Sequence, residues 1–171
     1  ANAVANNIAG METIPGFAVG IGMITVIGQC VGAGDYGQAE YFTRKMNRLA
    51  GLLMFVYNGI ILLLLAKILN IYQLTPETLH LAMILLIIHG GFGMIFWVPS
   101  FVMPNALRAS NDVKFTMTVS IVSMWVFRIL FSIILGRIFG WGVIGVWSAM
   151  ILDWLFRGAL FRLRFRSRKW Q

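Results

Sequence analysis

Few side chains in this sequence can exchange a proton or hold an ion, and those that can stand among apolar neighbours. Glu12 precedes Pro15 by three residues, His89 lies beside Gly90, Gly91 and Gly93, Asp153 and Arg157 share the stretch DWLFRG, and Arg128 sits inside VFRILF. A carboxyl group in an apolar cavity is less costly protonated than charged, so Glu12 could carry a proton or attract a cation. The alternative for Glu12 is simple exposure near an outer mouth. An imidazole at His89 could exchange a proton near neutral pH or donate a hydrogen bond to a substrate, or it could be a neutral histidine bonded across a bundle. Asp153 and Arg157 have the i, i+4 spacing of an ion pair, and Arg128 competes for the same carboxylate. A structural network is the favoured reading there, because pairing makes buried charge tolerable without giving it a transport role.

Other chemistries fail on spacing. The glycine-rich GQCVGAGDYGQAE places Gly28, Gly32 and Gly34 in neither the GxxxxGK order of a phosphate loop nor the GxGxxG order of a dinucleotide site. Gly28 and Gly32 instead offer a small face for helix packing. Gly32 and Gly34 are suited to end a helix, and Asp35 to cap the start of a short connector, with Gln38 completing a capping-box-like pattern. The single cysteine, Cys30, has no partner for an intrachain disulfide and no metal-ligand neighbours. No serine, cysteine or two-carboxylate constellation of a catalyst is present, so the sequence reads as a non-enzyme without metal or organic cofactor.

The elements that must position these residues are long apolar runs. Of the 171 residues, 59% are hydrophobic and 12% charged, against about 25% charged in ordinary soluble domains, and the mean hydropathy is +0.81. Five segments approach the roughly 20 residues needed to cross a bilayer: 4–31, 49–69, 79–103, 115–139 and 141–161. The first is interrupted at Pro15, which removes a backbone donor and favours a kink. The expectation is an all-α polytopic membrane bundle, since only helices satisfy their own backbone in a single-segment span. Tyr57 and Asn58 could line a polar cavity in it, and Phe92, Phe96, Trp97 and Trp125 could contact an aromatic cation.

Orientation follows from basic residues. Arg44, Lys45 and Arg48 follow the first span, Arg108 and Lys114 the third, and Arg162, Arg164, Arg166, Arg168 and Lys169 the fifth. With alternating helices these lie on one side, predicted to be cytoplasmic, with the N-terminus outside and the basic tail 162–171 inside. The net charge of +8 then reads as flanking charge and contact with anionic headgroups rather than nucleic-acid binding. The opening residues lack the charged region of a signal peptide, and the absence of an initiator Met suggests a piece of a longer protein.

Three stretches carry a family resemblance. ETIPGFAVGIGMITVIGQCVGAGDYGQAEYFTRK, VMPNALRASNDVKFTM and GWGVIGVWSAMILDWLFRGALFRLRFRSRKW resemble segments of the multidrug and toxic compound extrusion (MATE) transporters. Together with the intervening spans, the resemblance covers essentially the whole chain. It implies transmembrane helices eight to twelve of a two-lobed protein of the bacterial cytoplasmic membrane, without the N-terminal lobe and the preceding helix. It further implies secondary export of organic cations or related amphipathic compounds by H+ or Na+ antiport. The stretch matching helix ten, LHLAMILLIIHGGFGMIFWVPS, contains no Asp or Glu. The carboxylate of Na+-coupled relatives therefore has no counterpart here, and H+ coupling through the absent lobe is preferred. Where the family often has glycine before its final Lys-Trp, this chain has Arg168. The rival expectations are a flippase for lipid-linked or amphipathic substrates, favoured by a positive cavity open to lipid, and a non-transporting truncated membrane domain.

Overall fold

The structure, a computed structural model, describes residues 1–170, and all regular elements among them are helical. The first predicted span divides into α1 (Asn2–Glu12) and α2 (Ile14–Gly32), separated at Thr13. Pro15 sits in the first turn of α2, where its missing N–H would have had no helical partner anyway. The carbonyls that α1 leaves at its end cannot turn to water inside a bilayer. Thr13 Oγ1 donates to Gly10 O at 2.9 Å, the Thr13 N–H donates to Met11 O, and Asn58 Nδ2 donates to Glu12 O at 3.1 Å.

The exit after α2 follows the sequence reading at Gly34 and Asp35. Gly34 has φ +74°, and the Asp35 carboxylate accepts the Gln38 N–H at 2.9 Å as the cap of the next helix. That helix differs from expectation: the short connector and the second span form one continuous α3 (Tyr36–Asn70). At 1.5 Å per residue its 35 residues run about 52 Å, longer than a ~30 Å hydrocarbon layer. Its first turns, bearing Glu40, Arg44, Lys45 and Arg48, therefore extend past the apolar zone.

The third span is a rod of three parts: α4 (Pro76–Trp97), a π-helical segment (Val98–Val102) and α5 (Met103–Ala109). Pro99 has no N–H to give an α-helical ladder, and the wider segment accommodates it, with the Met103 N–H reaching back to Val98 O. The fourth span begins as α6 (Val113–Ser123) and continues with π-type pairing over Met124–Phe131 and Ile134–Ile138, where no residue is buried. After Gly140, at φ +71°, α7 (Gly142–Arg166) runs five residues beyond the predicted end of the fifth span. Five helical rods are thus long and apolar enough to cross a membrane.

The bundle has two buried apolar clusters. One gathers Met23, Met54, Trp97, Leu107, Trp154 and Phe161, and the other Ile8, Leu65, Leu69, Leu86 and Trp147. Large apolar side chains such as Ile21, Leu63, Trp125 and Ile138 point outward, as a lipid-facing surface allows. Close helix approach depends on other glycines than Gly28 and Gly32, beside which a Cβ would meet nothing within 4 Å. Gly16 lies under the Trp97 ring, Gly20 against the Asn105 amide, and Gly145 against the Leu135 backbone, 2.7 Å from where a Cβ would stand. Among the described residues, the Gly28/Gly32 face has no close packing partner.

The tail is folded rather than free. Arg164 pairs with Asp112 through two hydrogen bonds of 2.7 and 3.1 Å, Arg168 approaches Glu40 at 3.3 Å, and Trp170 stacks on Phe165 with centroids 5.2 Å apart. These contacts gather the three basic segments at one end of the bundle. Gly145→Ala is expected to lower stability by about 1–3 kcal/mol through overpacking, whereas Gly28→Ala should be neutral or stabilising by up to about 1 kcal/mol. Thermal unfolding of the detergent-solubilised protein checks the opposite signs.

Candidate functional site

The break at Thr13 delivers a carboxylate to the interior. Glu12, the last residue of α1, is fully buried, and its Oε2 lies 2.5 Å from His89 Nδ1 on α4. Room for it comes from Gly90, where a Cβ would stand 3.0 Å from Glu12 Oε1 and 3.2 Å from the Leu62 side chain. Exposure at an outer mouth is therefore not the environment of Glu12. The alternative of a histidine bonded across the bundle is the observed one for His89.

His89 is itself buried and sits edge-on between two indoles of α7, Trp154 at 5.1 Å and Trp147 at 5.6 Å between centroids. The two tryptophans belong to different apolar clusters, so the polar pair occupies the seam between them. Asn58 on α3 completes the arrangement. Its amide holds Glu12 O, as above, and Met54 O at 2.9 Å. Among the described residues, three atoms of the group have no hydrogen-bond partner: Glu12 Oε1, Asn58 Oδ1 and Trp154 Nε1.

Chemically this is a carboxyl–imidazole pair whose contact can be bridged by one proton. With one proton on it, either the imidazolium N–H donates to a carboxylate or a carboxylic acid O–H donates to neutral imidazole, and both arrangements carry no net charge. Removing that proton leaves a net negative charge on a fully buried side chain. A cation or a hydrogen-bond donor is the complement that such a site then demands.

Asp153 forms a second buried cluster on α7. Its Oδ1 accepts the Ser123 hydroxyl of α6, and its Oδ2 lies 3.7 Å from Arg157 Nη1 and 3.9 Å from Arg128 Nε. The Arg157 guanidinium also lies over the Phe101 ring at 5.1 Å. The three ionisable residues are brought together as the network expected, with a serine added. These contacts tie α7 to the fourth span and are made between protein groups.

The aromatic candidates do not converge on one cavity. Trp97 is buried in the core between Phe17 and Phe101, Phe92 and Phe96 stack on each other at 6.1 Å, and Trp125 is exposed on the outer face. Tyr57 is half-buried. A cavity of about 820 Å³ lies elsewhere, at the basic end between α3, the third span and the end of α7. Arg44, Arg48, Arg162, Arg166 and Arg168 line it with Glu40, and neither Glu12 nor His89 does.

Sequence reasoning missed Ser123, Asp112, Trp147 and Trp154 as partners. The tryptophans carried a signal, since residues seven apart recur on one helix face. Ser123 and Asp112 carried none, because their partners lie 30 and 52 residues away.

Long apolar rods enclosing a buried carboxylate and histidine define a multi-pass membrane protein. The chain belongs to the MatE family, whose family model matches residues 1–134; it is a family of membrane transporters and not of enzymes. It is similar to a probable multidrug resistance protein NorM of Thermotoga maritima, 26% identical over 96% of this chain and 35% of that protein. A 66-residue stretch is 38% identical to the uncharacterized transporter YisQ of Bacillus subtilis, covering 39% of this chain and 14% of that one. The chain thus spans about a third of the NorM relative's length. No solved structure matches it.

Asp153→Asn is expected to cost up to about 3 kcal/mol, because it leaves the half-buried Arg157 without a countercharge. Asp153→Leu combined with Arg157→Leu should recover most of that loss, and a double-mutant cycle on thermal stability measures it.

Proposed function

We propose that this chain is the five-helix part of the C-terminal lobe of a proton-coupled exporter of organic cations, and that the Glu12–His89 pair carries the coupling proton. The observation that carries this reading is the state of Glu12. It is fully buried, one oxygen is 2.5 Å from an imidazole and the other is without a partner.

Protonation from outside neutralises the pair, and release of that proton restores a negative charge that attracts a cationic substrate. Proton and substrate thereby compete for one buried charge, which is the requirement for antiport by alternating access between two lobes. The second lobe lies in the rest of the protein, as does its contribution to the substrate pathway. Family membership and the similarity to NorM support export. The pairing of the carboxylate with an imidazole supports H+ over Na+, because a hard cation prefers an all-oxygen shell.

By the basic-residue rule the end that gathers Arg44, Arg48, Arg108 and Arg162 is cytoplasmic, so the C-terminus is inside and the protein lies in the bacterial cytoplasmic membrane. One observation favours the second reading, a flippase for lipid-linked or amphipathic substrates: the cavity at the basic end is rich in arginine. The pair does not line that cavity, so the two readings assign transport to different places.

In proteoliposomes of the full-length protein, with H+ and Na+ gradients imposed separately, organic-cation efflux should follow the H+ gradient. Glu12→Gln and His89→Ala should each reduce that dependence by about tenfold or more. Efflux with undiminished dependence on the H+ gradient in Glu12→Gln would remove the pair from the coupling role.

A further inference from the structure

The cavity at the basic end has the composition of a site for a phosphate-bearing amphiphile. Its wall carries five guanidinium groups from two helices and the tail, Arg44, Arg48, Arg162, Arg166 and Arg168, against one carboxylate, Glu40. Glu40 is already shared between Arg44 and Arg168. Arg48, Arg162 and Arg166 have no ion-pair partner among the described residues. Guanidinium groups present fixed forks of donors that match phosphate oxygens two at a time.

The remaining lining is apolar. Met94, Ile95, Val98, Pro99 and Met103 of the third span and Phe165 of α7 complete the wall. Asn47 also lines the cavity, and its Oδ1 is buried and accepts no hydrogen bond among the described residues. A soluble anion would satisfy the arginines and leave the apolar wall uncovered. A lipid with a negatively charged phosphodiester and acyl chains satisfies both parts. The location agrees, since the cavity joins the charged first turns of α3 to apolar residues of the third span, the mixture met at a membrane–water boundary.

We propose that this cavity holds the headgroup of an anionic phospholipid. The phosphate lies among Arg48, Arg162 and Arg166, and the first acyl carbons cover Ile95 and Met103. Basic pockets between membrane helices bind such headgroups by this combination of charge and depth. The site is separate from the Glu12–His89 pair, and its test requires no transport.

The test is native mass spectrometry of the full-length protein in detergent, titrated with phosphatidylglycerol, with phosphatidylcholine and with inorganic phosphate. The wild type is expected to retain phosphatidylglycerol at about tenfold lower concentration than phosphatidylcholine, and Arg48→Gln with Arg162→Gln to abolish the difference. Arg48→Lys with Arg162→Lys should keep part of it, because the charge remains while the paired donors are lost. Should the double glutamine variant not fold, the exposed Arg166→Gln alone should narrow the preference by about threefold to fivefold. Equal retention of the two lipids by the wild type overturns the proposal. An undiminished preference in whichever glutamine variant folds does the same. Displacement of phosphatidylglycerol by inorganic phosphate at equal concentration assigns the site to free phosphate and overturns the lipid assignment.

Discussion

A carboxyl group with no access to water must find its hydrogen bonds and countercharge inside the protein, and Glu12 finds them on one side only. That constraint organises much of the bundle around it. Asn58 on α3 holds the carbonyl of Glu12, His89 on α4 meets its side chain, and Gly90 leaves the space that the second oxygen occupies. The helix break at Thr13 belongs to the same arrangement. It ends α1 where the carboxylate reaches the seam between the two apolar clusters, and its freed carbonyls are satisfied locally, as a bilayer requires.

The two buried acidic residues solve the same problem differently. Asp153 is surrounded by donors: a serine hydroxyl on one oxygen and two guanidinium groups near the other. The distances of 3.7 and 3.9 Å and the half-exposed Arg128 make the ionic part modest, since solvent screens the outer partner. Within this network one buried donor, Arg157 Nε, has no hydrogen-bond partner among the described residues. Glu12 has a single close partner that can itself take or give the proton, and one oxygen unsatisfied. The two networks differ in which group is left open: an acceptor on the carboxylate itself at Glu12, and a donor on the partner arginine at Asp153.

What could be read from the sequence was mainly local or compositional. The five spans followed from apolar length, the Asp35 cap from a residue type three positions before the N–H it accepts, and the ion pair of Asp153 with Arg157 from helical spacing. The partnership of Glu12 with His89 was not legible, because 77 residues separate them and helix order alone does not say which spans touch. Gly28 and Gly32 misled for a related reason: spacing reveals that a helix has a small face, but the element opposite is a tertiary fact. Fusion of the connector with α3 was hidden as well, since a capped helix start gives no sign of where that helix will stop.

The π-helical segment at Val98–Val102 also changes how the third span must be read. A turn closed from i to i+5 holds one residue more than an α turn, so α5 is rotated by about 100° from the direction in which α4 would have continued. Residue numbers on either side of Pro99 consequently belong to two different registers, and a periodicity drawn through the whole rod blurs both. The segment works as a phase shifter in the sequence: it lets α4 aim His89 at α1 while α5 aims Asn105 at Gly20 of α2. Loss or gain of a single residue there would exchange the neighbours of everything up to Ala109, a rearrangement far larger than the change in length.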